Sequence, residues 1–536
     1  MKKIDLVAVN AKFIHSNPAV YSLSRYAGGE ACGIQIREYT INNRYEDVLY
    51  GILSDKPDVI AFSVYIWNAD QIIELMRDIK IIYEQEDRDL MLIAGGPEAS
   101  FDSKRFLEYC DCVILGEGEK TFKKIVDAIQ ESEGPVAQYC LDKIKDISGI
   151  ATQDFLHPFI GNDAADMDAI PFLYDELSPF ENRIIYYESS RGCPFRCTYC
   201  LSSIDRRVRY RDLDTVLAEL KYFLDHKVLQ VKFVDRTFNS SSKRAIRIWQ
   251  FIKDYDNGIT NFHFEIGADL LGEEEIELLS SLRPGLVQLE IGIQSTNPQT
   301  LEIIQRVTDN EKLFKNVAAL RKAWNINLHT DLIAGLPFED LKSFAKSFND
   351  IYPLMADQLQ LGFLKVIKGT LMEARAKEYG LVYSSKQPYE ILFTKWLSIE
   401  DNILLHEICD VVDAFYNSNC FRHSLDYLLK GFESPFAMYQ ALAQKLEEMG
   451  LEKVGLSNAK RIEILSALGK ECNINQKLLD SYLELDRLLH MHKSRKMQAS
   501  YKLEFEDGLY QCDFDYSYIN PVTGQARYSL KKIESL

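Results

Sequence analysis

The sequence predicts an α/β protein with a doubly wound N-terminal sheet, a second α/β region and a mostly helical C-terminal region. Short apolar, β-branched runs alternate with helical stretches twice, over residues 1–135 and 181–380. A polar linker over residues 136–180 separates the two. The alternation stops after residue 380, and residues 381–536 mostly follow the helical period. Three domains suit a chain of 536 residues.

The first α/β region has four predicted strands, separated by helices such as Ala69–Glu84 and Lys120–Gln130. The strands are Ile4–Val9, Val59–Val64, Leu90–Ala94 and Cys112–Leu115. Continuous apolar strands are typical of a parallel sheet that is covered on both faces, and ligands bind such sheets at the carboxyl ends of the strands. Asp5 interrupts the first apolar run, so we interpret it as a buried strand and not as a signal peptide.

Small or polar residues follow each of these strands. They are Asn10, Ser63, Gly95-Gly96 and Gly116-Glu117-Gly118. Glycine also makes ordinary tight turns, so a single ending of this kind does not identify a ligand. No G-x-G-x-x-G opens the first helix, which argues against a nicotinamide cofactor.

The second α/β region has six predicted strands with crossover helices, for example Leu213–His226 and Glu311–Asn325. The strands are Arg183–Glu188, Gln230–Val234, Asn261–Gly267, Leu286–Ile291, Asn327–Ala334 and Gln358–Leu364. This order predicts a partial TIM-type barrel, in which function lies at the carboxyl ends of the strands. A ring of polar residues is expected there around a cavity: Asp235, Glu265, Glu290, Gln294, Ser295 and Asp331.

Three cysteines follow the first strand of this region as C-x-x-x-C-x-x-C: Cys193, Cys197 and Cys200. Gly192 and Pro194 oppose a helix, so a loop is expected to bring the three thiolates together. Three sulfurs suit an iron–sulfur cubane with one open iron, because a cluster ligated only by protein takes four cysteines. The alternatives are a zinc site, which lacks a fourth ligand nearby, and structural thiols.

This cysteine stretch, with Tyr199 before the last cysteine, is similar to the signature of radical S-adenosylmethionine (SAM) enzymes. The resemblance implies a [4Fe-4S] cluster on Cys193, Cys197 and Cys200, with SAM chelating the open iron through its amine and carboxylate. It also implies a partial barrel.

Three strand-end motifs carry the same resemblance. His329–Pro337 resembles the family's fifth-strand motif, which implies that Ile333 contacts adenine. Glu290–Ser295 resembles the fourth-strand motif, whose polar groups contact the ribose or the methionyl carboxylate. Asp235 stands where the family receives the methionyl amine, although the usual Gly-Gly-Glu is absent.

The G-G-P and G-E-G-E strings of the first region resemble the cobalamin-binding domain that precedes many radical SAM domains. The resemblance implies that Asn10, Ser63, Gly95, Gly96, Gly116, Glu117 and Gly118 bind cobalamin. The D-x-H-x-x-G motif that supplies a cobalt ligand is missing, and His15 lacks its context. Cobalamin is therefore expected without a protein imidazole, its lower face near the Ser63–Asn68 loop. Trp67 is expected to cover that face or to belong to the core or a lid.

The resemblance implies that the reduced cluster cleaves SAM to a 5′-deoxyadenosyl radical, with methylation of an unactivated carbon as the common outcome. The alternatives are a radical cyclisation or rearrangement that uses cobalamin for electron transfer, and a corrinoid and cluster sensor without turnover. The expected partners are a small-molecule or peptide substrate and a reductant such as flavodoxin or ferredoxin. The C-terminal region resembles the extension of an uncharacterised subgroup, with a hairpin expected at Tyr501–Tyr518.

Composition and net charge indicate the compartment of the protein and argue against some of its possible partners. No apolar run is long enough to cross a bilayer, and the net charge of −18 argues against a nucleic-acid-binding surface over the whole protein. The eleven cysteines do not resemble the disulfide framework of a secreted protein, so a cytoplasmic protein is expected. The basic stretch His490–Lys502 is expected to be a solvated helix face, with a phosphate-binding patch as the alternative.

Overall fold

The protein is described here by a computed structural model that covers residues 1–144, 147–155, 164–451, 455–490 and 498–533. Part of the predicted linker and most of the basic stretch from His490 to Lys502 lie outside these ranges. Lys502 itself belongs to a strand and not to a helix. None of the helices in the described ranges has the length and apolar character needed to cross a membrane.

The first region is a six-stranded sheet with the order β2-β1-β3-β4-β5-β6, and helices cover both faces. All neighbouring strands are parallel except the β5–β6 pair. Every residue of β1 and β3 is buried, as expected for a sheet covered on both faces. The strands are β1 (Ile4–Asn10), β2 (Ile34–Thr40), β3 (Val59–Ser63), β4 (Met91–Gly95), β5 (Cys112–Ile114) and β6 (Ile150–Ala151). The helices are α1 (Pro18–Ala27), α2 (Tyr45–Leu53), α3 (Ala69–Gln85), α4 (Pro97–Phe101), α5 (Ser103–Leu107), α6 (Glu119–Gln130) and α7 (Val136–Ile144).

Two features of this sheet were not predicted. Strand β2 was missed because it is an edge strand with mostly half-buried side chains, so its sequence lacks a continuous apolar run. Helix α7 and strand β6 fall within the predicted linker. They extend the first sheet and its apolar core beyond residue 135, with Val136, Cys140 and Ile150 buried in that core.

The second region has the predicted six parallel strands in the order β14-β13-β12-β11-β10-β7. They are β7 (Ile185–Tyr187), β10 (Gln230–Phe233), β11 (Asn261–Ile266), β12 (Val287–Gln294), β13 (Asn327–Ala334) and β14 (Gln358–Phe363). Two short strands, β8 (Ser190–Arg191) and β9 (Arg209–Tyr210), form an antiparallel ribbon beside them. The helices are α8 (Leu213–Asp225), α9 (Ser242–Asp254), α10 (Glu273–Ser280), α11 (Pro298–Ile303), α12 (Asn310–Arg321) and α13 (Leu341–Ile351).

The C-terminal region is mostly helical, and its core is continuous with that of the barrel. Its helices are α14 (Leu371–Ala374), α15 (Ala376–Tyr379), α16 (Ile399–Val411), α17 (Arg422–Leu428), α18 (Pro435–Glu448), α19 (Asn458–Glu471) and α20 (Gln476–Leu489), with a short β15–β16 pair (Val382–Tyr383 and Ile391–Phe393). The predicted hairpin is instead a three-stranded antiparallel sheet, because a third strand pairs with the second. Its strands are β17 (Gln498–Phe505), β18 (Gly508–Ile519) and β19 (Ala526–Lys532).

The barrel is open, and the first region packs on its β7 edge. The loop after β1 continues the sheet there, because the Ile184 amide donates a hydrogen bond of 3.0 Å to the Ile14 carbonyl. The carboxyl ends of the first sheet and of the barrel therefore face a common space. Every pocket described below opens from this space or lies beside it.

Candidate functional site: a cysteine loop between two pockets

The three cysteines lie in a closed loop between β8 and β9. The loop is held at its base by the pairing of Arg191 with Arg209, and the Cys193 amide donates a 3.2 Å hydrogen bond to the Asp205 carbonyl. Gly192 has a φ of +96°, and a Cβ atom there would lie 2.2 Å from the Arg207 carbonyl oxygen. The turn into Cys193 therefore requires glycine.

The thiols are largely shielded from solvent and close to one another. Cys193 and Cys197 are 9% and 7% exposed, and Cys200 is half-buried. Burial raises the pKa of Cys193, and the charges of Cys200 and Cys197 raise it further. Arg306 Nη1 lies 3.8 Å from Cys197 Sγ.

The loop supplies three thiols, one fewer than a structural zinc site takes. Within the described ranges, no three His, Cys, Asp or Glu side chains are placed to hold one metal ion. A zinc ion would draw its sulfur ligands to roughly 3.8 Å from one another, given a Zn–S bond of about 2.3 Å. A cubane places each cysteine on a different iron, so its thiolates stay farther apart.

A pocket of about 160 Å³ lies beside the loop, at the carboxyl ends of β11, β12 and β13. Four predicted residues line it: Glu265, Glu290, Gln294 and Asp331. The atoms Gln294 Oε1 and Asp331 Oδ1 are buried and accept no hydrogen bond from the described residues. Buried acceptors of this kind need a donor. The amine and ribose hydroxyls of SAM are such donors, and its sulfonium charge suits an acidic pocket.

The carboxyl groups of this pocket differ in ionisation. Close contacts of His263 Nε2 and Lys232 Nζ with Glu290 Oε2, at 3.1 and 3.0 Å, hold the pKa of Glu290 down at about 2. Burial raises the pKa of Glu265 to about 7, with a contribution from the Glu290 charge. Burial and the same charge raise the pKa of Asp331 to about 7. One carboxylate is therefore fixed in the ionised form, while two titrate near neutral pH.

A second cavity, of about 990 Å³, lies between the first sheet and the barrel. The predicted residues Ser63, Gly95, Gly96, Gly116, Glu117 and Gly118 line it. It continues as an apolar slot between the sheet and helices α1 and α6, lined by Leu6, Val20, Ala61 and Phe122. Polar strand ends that lead into an apolar slot fit a large amphipathic group such as cobalamin.

Glycine permits the backbone to turn tightly at the rim of this cavity. Gly96 has a φ of +109°, and a Cβ there would lie 2.5 Å from the Val64 carbonyl oxygen. No other residue fits this turn without moving the neighbouring strand end.

Comparison with known proteins agrees with this geometry. Residues 4–126 match the model of the B12 binding domain, and residues 187–351 match that of the radical SAM superfamily. Residues 377–513 match the model of a family described as a protein of unknown function (DUF4080). The chain is a radical SAM enzyme with a cobalamin-binding domain. Its cofactors are a [4Fe-4S] cluster, SAM and cobalamin.

The enzyme has curated relatives of low identity. It is 24% identical over 343 residues to an uncharacterized methyltransferase of Pyrococcus horikoshii. That match covers 61% of this chain and 71% of the relative. It is also 24% identical over 333 residues to the cobalamin-dependent radical SAM methyltransferase TokK of Streptomyces tokunonensis. That match covers 54% of this chain and only 44% of TokK, so the enzyme spans less than half of that relative.

Two solved structures share the fold. The radical SAM methyltransferase TsrM of Kitasatospora setae, with cobalamin and a [4Fe-4S] cluster bound, aligns with a TM-score of 0.54 and 16% identity. That alignment covers 72% of this chain and 76% of TsrM. The cobalamin-dependent radical enzyme OxsB aligns with a TM-score of 0.62 and 15% identity, over 92% of this chain and 73% of OxsB. The predicted fold class is thereby confirmed.

Two predicted barrel residues lie outside the pocket beside the cysteine loop. Both carboxylate oxygens of Asp235 are used internally: they accept hydrogen bonds from the Ser189 amide (2.9 Å), the Ser189 hydroxyl (2.7 Å) and the Ser190 hydroxyl (2.5 Å). Asp235 therefore supports the start of the cysteine loop and does not line this pocket; its contact with the methionyl amine stays a prediction. Ser295 is fully buried and donates a 2.7 Å hydrogen bond to Glu339.

Tyr199 and Ile333 are placed together. Both pack against one apolar cluster of buried residues, which includes Leu336, Leu364 and Ile391. Burial raises the pKa of Tyr199. This apolar wall beside the cysteine loop remains the predicted place for adenine.

Three predicted candidates near cobalamin have other contacts. Asn10 does not line the cavity, because its side-chain amide donates a 2.8 Å hydrogen bond to Glu38. Trp67 does not line it either: its ring stacks on Tyr65 at 4.4 Å, and its indole N–H donates to the Val9 carbonyl. Tyr65, the other ring of this stack, does line the cavity. His15 lies 2.6 Å from the Tyr186 hydroxyl through Nδ1, at the β7 edge.

Several residues that were not predicted from the sequence line the pocket beside the cysteine loop. They include Arg236, Thr237, Arg306 and Thr308. Arg306 bonds the Gly292 carbonyl as well as Cys197 and so links β12 to the cluster loop. None of these residues belongs to a recognisable spacing, since Arg306 follows a helix that only the fold places beside the cysteines.

We expect SAM binding to strengthen with pH through the carboxyl groups of the pocket. Protonation of Glu265 and Asp331, whose pKa values are raised to about 7, removes negative charge that favours the sulfonium cation. The dissociation constant of the cluster-loaded enzyme should therefore fall from pH 6 to pH 8. Asp331→Asn should make this fall roughly threefold smaller, since it removes one of the two titrating groups. Anaerobic calorimetric titration with SAM measures both.

Glu339 provides the control for this pH experiment. Burial also raises the pKa of Glu339 to about 7, but its carboxylate accepts hydrogen bonds from Ser295 and Ser347 and does not line the pocket. Glu339→Gln should keep the pH dependence of the wild type. An unchanged pH dependence in Asp331→Asn would show that Asp331 does not face bound SAM.

Gly96→Ala should abolish cobalamin binding while leaving the cluster intact. The added Cβ would contact the Val64 carbonyl in a conformation that costs roughly 1–3 kcal/mol for a residue other than glycine. Corrin absorbance and iron content after reconstitution measure the two cofactors separately. Gly134→Ala is the matched control, because a Cβ at Gly134 meets no atom within 4 Å. Equal corrin content in the two variants would contradict the assignment.

Proposed function

We propose that the enzyme methylates an unactivated carbon of a small-molecule or peptide substrate. The supporting observation is that the two pockets adjoin: Arg236 lines both the SAM pocket and the large cavity. A substrate carbon at this junction could be reached from both sides. The relatives TokK and the Pyrococcus horikoshii protein are named as methyltransferases, which supports the same reaction.

The bound cofactors supply the radical chemistry and the methyl group, as in other enzymes in which cofactors carry the difficult steps. The chain holds and orients them. Cys193, Cys197 and Cys200 would hold three irons, and Arg306 lies against Cys197. Glu290 is held in place by Lys232 and His263, so that its charge stays fixed on the floor of the SAM pocket.

The large cavity would also exclude water from the reaction. Its walls come from both α/β units, and apolar residues such as Ile93, Ile114 and Phe172 contribute much of its surface. A carbon radical is quenched by stray donors, so the apolar part of this cavity suits its transfer.

Cys197→Ala should remove the cluster and with it all SAM cleavage. The expected result is loss of the iron–sulfur absorbance and of 5′-deoxyadenosine release under anaerobic reduction, because three thiolates are needed for the cluster. Cys472→Ala is the control, since Cys472 is a half-buried thiol at the end of helix α19 in the C-terminal region. A Cys197→Ala variant with wild-type SAM cleavage would refute the cluster assignment.

The released products separate methylation from its alternatives. Methyl transfer should release both 5′-deoxyadenosine and S-adenosylhomocysteine, because one SAM forms the radical and another restores the methyl group. Deoxyadenosine alone would indicate a rearrangement, and neither product from a fully loaded enzyme would indicate a sensor. Mass spectrometry of the reduced reaction, with extracts as the substrate source, measures these outcomes.

A reductant such as flavodoxin or ferredoxin is proposed to dock beside the cysteine loop. Arg196, Arg206 and Arg207 are exposed on this loop, although the chain as a whole carries a net charge of −18. A local positive surface beside the cluster complements an acidic electron donor. A small-molecule reductant would not need such a surface.

Charge reversal at this surface should slow reduction by a protein donor. With Arg196→Glu and Arg206→Glu together, the rate of cluster reduction by reduced flavodoxin should fall by about tenfold at low salt, because steering of the donor is lost. Reduction by dithionite should be unchanged. Arg44→Glu, at an exposed residue before helix α2 in the first region, is the control. Equal flavodoxin rates in all variants would rule out this docking surface.

The cytoplasm is the proposed location. All eleven cysteines are unpaired in the structure. Free thiols and a reduced cluster are kept in this state in a reducing compartment.

A further inference from the structure

We propose that an ion-pair network between the two α/β units sets the spacing of cobalamin and the cluster. The network consists of Arg191, Arg209, Glu117, Glu119 and Glu188. Arg191 and Arg209 act in it as positioning residues. The proposal rests on the proposed function in one respect, since it assumes that cobalamin occupies the large cavity.

Arg191 contacts three carboxylates from two different parts of the chain. Its Nη1 donates to Glu117 Oε2 at 2.9 Å, and its Nη2 donates to Glu119 Oε1 at 3.0 Å. Its Nε and Nη2 also donate to Glu188, at 2.9 and 2.7 Å. Glu117 and Glu119 follow strand β5 of the first sheet, whereas Glu188 and Arg191 lead into Cys193. The guanidinium therefore ties the cobalamin-side loop directly to the cluster loop.

Arg209 reaches the same carboxylate from the other end of the cluster loop. Its Nη1 lies 3.2 Å from Glu117 Oε2, its Nη2 contacts Glu117 Oε1, and its Nη1 also donates to the Ala165 carbonyl at 3.0 Å. Arg191 and Arg209 are paired across the β8–β9 ribbon that closes the loop. Both sides of the base of the loop are thus held by one residue of the first region.

The ion-pair network is largely shielded from solvent, so it can fix one arrangement of the two loops. Arg191 is 20% exposed and Glu119 is 6% exposed. Burial alone would raise the pKa of Glu119, but the charge and hydrogen bonds of Arg191 hold it below its usual value. Ser22 of helix α1 also donates to Glu119, at 3.1 Å. Bidentate bonds of arginine to carboxylates have defined geometry, so they fix an orientation as well as a contact.

Glu117 consequently has a different role from the one predicted for it. Both of its carboxylate oxygens are engaged by arginine, so it acts through the cluster loop and not as a direct ligand of the corrin. Gly116 and Gly118 on either side of it line the cavity. A shift of the network would therefore move the cavity wall and the cysteines relative to each other.

Electron paramagnetic resonance can test this spacing. The enzyme is reconstituted with its cluster and with hydroxocobalamin, then reduced to cob(II)alamin and the reduced cluster, which are both paramagnetic. Their dipolar coupling depends on the distance between them. Wild-type enzyme should give one well-defined coupling. Glu117→Gln keeps the side-chain shape but loses the charge, so its coupling should weaken and spread, with cluster and corrin content retained.

A conservative variant and a control variant test whether a changed coupling comes from lost positioning or from a general loss of structure. Arg191→Lys keeps the charge but loses the bidentate bonds, so its coupling should lie between those of the wild type and Glu117→Gln. Arg25→Met removes the exposed Arg25–Asp175 ion pair between helix α1 and the segment before the barrel, and its coupling should equal the wild-type value. A wild-type coupling in both Glu117→Gln and Arg191→Lys would overturn the proposal.

Hydrogen exchange on the cluster-loaded enzyme without cobalamin tests the network independently. Glu117→Gln should raise exchange in residues 115–120 and in residues 189–210 together, because each loop holds the other. Faster exchange confined to residues 115–120 would overturn the proposal even if cobalamin binds. If the wild-type enzyme binds no corrin, that result counts against the proposed function. The hydrogen-exchange result still decides whether the two loops are coupled.

Discussion

The structure depends on the contact between the strand-end loops of two separate α/β units. Each unit on its own would present its carboxyl ends to solvent. The carboxylates after β5 and the arginines at the base of the cysteine loop bring these ends together around one cavity. A charged, bidentate interface favours a single docking orientation more strongly than an apolar one, because arginine and carboxylate bind with defined geometry. The position of one cofactor site relative to the other follows from this contact.

Glycine solves the same steric problem on both sides of the cavity. Gly96 follows a strand of the first sheet, and Gly192 precedes the first cysteine of the barrel loop. Both have positive φ values, and at both a Cβ would strike a neighbouring carbonyl oxygen. The backbone can therefore approach closely where each loop turns towards the cavity. Side chains that hold cofactors are carried by loops whose shapes these two residues permit.

In the pocket beside the cysteine loop, three carboxyl groups differ in ionisation because their neighbouring residues differ. Glu290 accepts a hydrogen bond from Lys232 and lies 3.1 Å from His263 Nε2, and these contacts hold its pKa at about 2. Burial and the nearby charge of Glu290 raise the pKa of Glu265 and of Asp331 to about 7, and no described residue donates a hydrogen bond to either carboxyl group. Three carboxyl groups at adjacent strand ends therefore provide one permanent charge and two groups that can respond to a bound cation.

The sequence by itself determined the repeating strand and helix order, the cysteine loop and most of the residues at the strand ends. These are local properties: apolar runs indicate buried segments, and Gly192 and Pro194 indicate a loop. Only the tertiary structure decided which polar side chains face a ligand and which bond to the protein. Asp235, Ser295 and Asn10 resemble Asp331 in sequence, yet only Asp331 of these four lines the pocket beside the cysteine loop. Glu117 lines the large cavity but is also held by two arginines. Their partners, however, come from distant segments, as Arg191 does for Glu117, so that spacing along the chain could not reveal them.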